Sequence, residues 1–389
     1  MNALLRCLVL ACLLTGCAAP SSQRLPAVTT LFDDSRFIQP PVQPDASRLF
    51  AMSPSMRAHL DGAPFRAQLR NRGKERGLVA ALYDAGELKL EYDSELTRTA
   101  AEAYDARRGN CLSLVIMTAA FAKALGVEVR YQNVVVEESW RRSGELMVFS
   151  SHVNLTLGQP VMGEKSVGAE RVLTIDFLPG EDVAGYHRYE IPESTVVAMY
   201  FNNRAVEALL KQDLDQAYWW ARAALRQDAA FIAAYNTLAV IYRRHGDLAL
   251  AERSWRLALA REPEHVVVMR NLAPLLAATG RAAEADALTA RAAAIEPHPP
   301  FYFYNLGMAA MERRDYAAAR TLFGREVARA PFYDEFHFWL GIALLRLGDA
   351  GQAREQMALA VQTSTSAESG KLYAAKLELM KKGGAARFQ

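Results

Sequence analysis

The hydrophobic pattern changes character three times along the chain. Leu96 to Arg107 has a helical period, interrupted at Gly109. Leu112 to Leu125 is apolar on nearly every face, with Lys123 its only charge, which predicts a buried helix opened by Cys111. Gly126 stands where a C-terminal cap belongs. From Val127 to Val136 the pattern alternates, with Val127, Val129, Tyr131 and Val135 set against Glu128, Arg130 and Gln132, as in a half-exposed strand. Ser151 to Leu157 alternates strictly: His152, Asn154 and Thr156 share one face, and Val153, Leu155 and Leu157 the other. Arg171 to Phe177 does the same, placing Thr174 and Asp176 opposite Leu173, Ile175 and Phe177. Because strand side chains repeat with period two, His152 and Asp176 belong to polar faces. If the two strands pair, the imidazole and the carboxylate lie within hydrogen-bonding reach.

From about Ala198 the pattern becomes periodic at a longer scale. Ala217, Ala251, Ala285, Ala319 and Ala353 are each 34 residues apart. Twelve residues before them stand Ala205, Ala239, Ala273, Gly307 and Gly341; twelve after stand Ala229, Pro263, Pro297, Pro331 and Thr365. Leu238, Leu272, Leu306 and Leu340 keep the period, as do Gly246 and Gly280 at the turns. Small residues let two antiparallel helices approach closely, and proline stops the second helix of each pair. This is the tetratricopeptide pattern, and five units stacked as a solenoid follow from it. The first unit, about 198–231, lacks the turn glycine and the terminal proline. Pro274 falls inside a first helix and is expected to kink it. The run Phe301-Tyr302-Phe303-Tyr304 has to place some rings in the core. Leu372, Leu377, Leu379 and Met380 form a last amphipathic segment that caps the open end. The groove of such an array is lined by the first helix of each pair, here at Asn236, Arg243, Arg270, Tyr304 and Phe338. A protein or peptide partner is expected there.

Composition narrows the compartment. Met1 to Gly16 carries Arg6 and then an apolar run, Cys7 to Leu14, too short to span a bilayer comfortably. It ends in Leu14-Thr15-Gly16-Cys17, which resembles the bacterial lipobox. That resemblance implies lipidation of Cys17 and, with Ala18 next, sorting to the outer membrane, facing the periplasm. The membrane is then met through the lipid anchor only. Ala18 to about Arg48 is rich in Pro, Ser and Gln and reads as a flexible tether. A net charge of +2 over 389 residues argues against a nucleic-acid partner. No Cys/His cluster has metal-ligand spacing and no glycine loop is built to cradle phosphate, so no metal or nucleotide cofactor is expected. The sequence has four cysteines, Cys7, Cys12, Cys17 and Cys111. Once the export segment is accounted for, Cys111 is a lone thiol without a disulfide partner in its own chain.

Arg108-Gly109-Asn110-Cys111 with its apolar helix, Ala124 to Arg130, His152 with its strand, and Thr174-Ile175-Asp176-Phe177 follow in order. Together they resemble the transglutaminase-like superfamily of papain-like cysteine enzymes, over roughly residues 95–180. The resemblance implies Cys111 as nucleophile, His152 as general base and acid, and Asp176 as the group that orients His152. Where many relatives have a small residue and Trp after the histidine, this chain has Val153-Asn154, and Asn154 becomes a candidate for contact with substrate or with His152. The chemistry is sound without the family. Only a thiolate attacks well, and a helix N-terminus and an imidazolium both favour it. The backbone N–H of Cys111 supplies half of an oxyanion hole.

The expected organisation is a signal segment over 1–16, lipidated Cys17 and tether over 17–48, an α+β papain/transglutaminase-like domain over 49–195, five repeats over 198–367, and a capping helix and tail over 368–389. The expected function is acyl transfer at an amide bond, by hydrolysis or transamidation, with the repeats presenting a substrate or partner. The competing expectation is a catalytically silent envelope scaffold acting through its repeats.

Overall fold

The computed structural model describes residues 25–84, 88, 90–94, 96–135, 140–143, 146–149, 152–159, 172–177, 187–364 and 366–382. The signal segment and Cys17 lie outside them. The described chain is mostly helical, with a small sheet region before a helical repeat solenoid. None of its helices is long and apolar enough to cross a membrane.

The N-terminal part holds three short helices, α1 (Pro54–Asp61), α2 (Ala63–Arg72) and α3 (Lys74–Val79), then β1 (Glu91–Tyr92), α4 (Ala100–Ala106), β2 (Arg108–Gly109) and α5 (Cys111–Ala124). The strands β3 (Val129–Val135), β4 (Trp140–Ser143), β5 (Leu146–Phe149), β6 (His152–Leu157), β7 (Leu173–Ile175) and β8 (His187–Ile191) follow. The main sheet has the order β7-β6-β3-β8, antiparallel throughout; β4 and β5 pair separately.

Helix α4 starts four residues later than its periodicity predicts. Thr99 caps it in a capping box with Glu102, so Leu96 to Arg98 stay outside the helix, and Thr97 and Arg98 make other hydrogen bonds. Helix α5 is buried from Leu112 to Ala122. It ends in a Schellman motif: Gly126 has φ +66°, and the Val127 N–H donates to Ala122 O at 2.9 Å. Gly109 is required by space rather than by its backbone angles, because a Cβ there would lie 2.7 Å from Ser113 Cβ. Strand β6 is buried on both faces, so its polar side chains face protein and not water.

Eleven helices complete the chain: α6 (Glu193–Leu210), α7 (Leu214–Gln227), α8 (Ile232–His245), α9 (Leu248–Arg261), α10 (Val266–Ala278), α11 (Ala282–Ile295), α12 (Tyr302–Glu312), α13 (Tyr316–Arg329), α14 (Asp334–Arg346), α15 (Ala350–Thr363) and α16 (Ala367–Lys381). The first ten form five antiparallel pairs and α16 closes the end. Their crossings use the small residues of the 34-residue pattern, and Ala217, Ala251, Ala285, Ala319 and Ala353 are all buried. At Gly307 a Cβ would lie 2.7 Å from the ring of Phe323, so the helices there are closer than alanine permits. Pro274 sits on the exposed side of α10, and the helix runs through it. Phe301, Phe303 and Tyr304 are buried, while Tyr302 is exposed. The cap buries Tyr373 and Met380 rather than Leu372 and Leu379, which are exposed. One continuous core runs from Leu31 through the sheet and the first repeats to Ala285.

The flexible tether needs correction over its described part, residues 25–48. Three 3-10 turns form there, and the first two pack onto the repeats. Phe37 stacks on Tyr218 with ring centroids 4.1 Å apart. The Tyr242 hydroxyl donates to Leu31 O at 2.6 Å, the Tyr218 hydroxyl donates to Asp34 at 2.6 Å, and Arg36 pairs with Asp247. Low overall hydrophobicity concealed two anchoring side chains, Leu31 and Phe37, both buried.

Candidate functional site

Asn110 is the N-cap of α5. Its Oδ1 accepts from the Ser113 N–H at 2.9 Å and from the Ser113 hydroxyl at 2.8 Å, which fixes Cys111 at the first helical position. Cys111 is the only free cysteine among the described residues and is half-buried. His152 opens β6 and is 3% exposed. Asp176 follows β7 directly. Strands β6 and β7 pair with Leu155 opposite Ile175, which brings the two polar faces together. The His152 Nε2 lies 2.7 Å from Asp176 Oδ1. Asn154, fully buried, donates from Nδ2 to Asp176 Oδ2 at 3.0 Å. Both carboxylate oxygens are therefore held, and Asn154 acts on Asp176 rather than on His152.

With Nε2 engaged by Asp176, Nδ1 is the ring nitrogen left. The Cys111 thiol and the imidazole shift one another. Burial pushes the thiol up. The neighbouring imidazole, with smaller help from the backbone N–H groups of Val153 and Leu112, outweighs burial and holds the Cys111 thiol below its ordinary value. Burial pushes the imidazole down, but Asp176 and Cys111 outweigh it, and His152 is pushed up to about 10. An imidazolium beside a thiolate is the arrangement that these two shifts favour.

A further set of residues holds the start of α5 and was not legible from the sequence. Asn110 Nδ2 donates to the Thr97 hydroxyl at 2.9 Å, and Asn203 Nδ2 donates to the same oxygen at 3.3 Å. The Thr97 N–H donates to Glu207 at 2.6 Å, and Arg204 donates to Thr97 O at 3.2 Å. Asn203, Arg204 and Glu207 all belong to α6, the first repeat helix. The cysteine helix is thus fastened to the solenoid across more than a hundred residues of sequence, a link that no local pattern encodes.

The predicted groove positions are mostly engaged within the solenoid. Asn236 is buried and accepts from Trp255 Nε1 at 2.9 Å and Asn271 Nδ2 at 2.8 Å. Arg270 pairs with Glu296 and donates to its carbonyl at 2.7 Å. The Tyr304 hydroxyl donates to Glu335 at 2.6 Å, and Phe338 stacks on Tyr373 of the cap at 4.9 Å. Arg243 alone of the five is exposed. No group of three or more potential metal ligands occurs among the described residues.

Residues 304–368 match the family described as Tetratricopeptide repeat, and the solenoid carries such repeats. Among solved structures, YrrB, a TPR protein with an unusual peptide-binding site, is 18% identical, with 46% of this chain and 92% of YrrB covered and a TM-score of 0.25. The pilF protein of Pseudomonas aeruginosa is 20% identical, covering 50% of this chain and 89% of pilF, with a TM-score of 0.30. MamA is 17% identical, covering 44% and 93%, with a TM-score of 0.25. No curated protein matches the chain. None of these matches bears on the resemblance of residues 95–180 to the transglutaminase-like superfamily.

Proposed function

We propose that this chain binds a protein or peptide through its repeats and performs thiol-based acyl transfer at Cys111. The first part rests on the tetratricopeptide match, since stacked helix pairs create an extended binding surface. The second rests on one observation: His152 is clamped by Asp176 at 2.7 Å, which leaves Nδ1 to the thiol at a helix N-terminus. In this reading His152 Nδ1 takes the thiol proton and the sulfur attacks an amide carbonyl carbon. The C–N bond then breaks, and the amine leaves with the proton that His152 returns. Water or a second amine cleaves the thioester and restores the thiol. Asp176 holds the imidazole in the useful tautomer, and the Cys111 backbone N–H stabilises the oxyanion. The papain/transglutaminase-like assignment of residues 49–195, and the anchoring of Cys17 in an outer membrane facing the periplasm, belong to the same proposal.

Intact-mass analysis of protein isolated from envelope extracts tests it. An acyl adduct on Cys111, absent in Cys111→Ala, is expected, and its mass identifies the substrate class. The family match favours a second reading, a catalytically silent scaffold that works through its repeats. That reading predicts an unmodified Cys111 and partner capture that survives Cys111→Ala unchanged.

A further inference from the structure

A pocket of 420 Å³ lies where the sheet meets the repeats. Strands β3 and β8 form one wall. The segment leading into α8 and the turn before α10 form the other, with Phe231 among the apolar side chains between them. Its polar lining combines carboxylates with groups that can also donate, on Asn133, Tyr189, Thr195 and His265. Asp228 and Glu262 bring two carboxylates, and no Lys or Arg lines the pocket among the described residues. The one basic side chain there, His265, is pushed below its ordinary value by burial, so it carries no compensating charge at neutral pH. Arg261, next to Glu262 in sequence, lies over the ring of Tyr235 and lines an adjoining cavity that shares Glu262 and His265 with this one.

The sheet wall adds an independent observation. Asn133 lines the pocket and is 6% exposed. Its Nδ2 donates to the Tyr189 hydroxyl at 3.0 Å, but its Oδ1 is buried with no partner. A buried acceptor without a donor is costly, by about 1–3 kcal/mol in general, and calls for a ligand that supplies one. On the repeat side the Asp228 carboxylate is held in place by the Thr195 hydroxyl at 2.5 Å and the Ala230 N–H at 2.8 Å. The Glu262 side chain lines the pocket from the turn before α10 and is exposed.

We propose that this pocket binds a primary ammonium group carried on an aliphatic stem, as in a lysine side chain of a polypeptide partner. The ammonium group donates to the acceptors that converge from both walls, while the stem lies against the apolar lining. The site shares a sheet with His152: Val134, which lines the pocket, stands opposite His152 across β3 and β6. Calorimetric titration of the full chain with Nα-acetyl-lysine methylamide tests it, with the norleucine analogue, which has no ammonium group, as the matched probe. Saturable one-to-one binding of the lysine probe alone is expected. Glu262→Gln weakens it about tenfold, the loss of one charge-assisted contact. Glu355→Gln, the loss of an exposed charge on α15, leaves affinity unchanged. Equal binding of both probes, no binding of the lysine probe, or equal loss in the two variants overturns the proposal. Glu262 is exposed, so its replacement does not threaten the fold.

Discussion

The repeat solenoid and the sheet differ in where their unbonded buried polar atoms sit. In the solenoid, Asn236, Arg270 and Tyr304 are tied to neighbouring helices and their ends by hydrogen bonds. The buried atoms without a hydrogen bond there, on Asn202, Arg204, Glu207, Arg222, Arg261 and Glu326, are spread over four helices. On the sheet, five buried atoms lack any partner: Arg130 Nε, Gln132 Oε1, Asn133 Oδ1, His152 Nδ1 and Asn154 Oδ1. All five sit on the paired strands β3 and β6, where Gln132 faces Asn154 and Val134 faces His152. Buried polar groups in folded proteins are normally satisfied, so a cluster of exceptions marks a place kept for something other than stability. The lesson is practical. In the solenoid, polar side chains at groove positions are structural; on the sheet, they are candidates for chemistry and binding.

The largest effect expected on stability comes from the strap, residues 25–48, that packs onto the repeats. Phe37→Ala removes a buried ring stacked on Tyr218 and is expected to lose about 3 kcal/mol. Because one core runs from Leu31 to Ala285, the loss should appear as a shift of a single transition, read both by sheet and by helix signals in denaturant unfolding. Two separate transitions would instead make the strap a mere tether. Next comes Gly307→Ala, whose Cβ meets the fully buried Phe323 ring at 2.7 Å and is expected to cost about 2 kcal/mol. Gly324→Ala, only one helix away, meets nothing within 4 Å and is expected to stabilise α13 by about 1 kcal/mol in the same assay. Opposite signs at two helical glycines would confirm that close approach, not backbone freedom, fixes the small residues of the repeat.

These two glycines also show what could be read in advance. Gly307 belongs to the 34-residue pattern and was legible as a contact position, because the same physical demand recurs in each unit. The five helix pairs followed from that recurrence. In the N-terminal region each residue serves one purpose once, so less was visible. Alternation placed His152 and Asp176 on the polar faces of their strands, and their pairing follows from the antiparallel register of β6 and β7. Strand β8 was not foreseen: four of its five residues are exposed and polar or aromatic, and they lack an apolar stripe. The link from Thr97 to Glu207 spans a sequence distance that periodicity cannot bridge. The strap was missed because Leu31 and Phe37 stand alone in a polar stretch. At groove positions the sequence reveals that a side chain is polar, but not which neighbour already holds it.

The central claim is that Cys111 is held as a nucleophile rather than as packing. The direct measurement is the rate of iodoacetamide alkylation of the native full chain against pH, beside His152→Ala. Folding lowers the thiol, so thiolate should persist below the ordinary range and disappear only as pH falls through the lowered value. The account predicts a native rate profile centred well below about 8.5, the usual thiol value, and a return toward that value in His152→Ala. A thiol that reacts only after unfolding, or a native profile unmoved by the loss of His152, would contradict it.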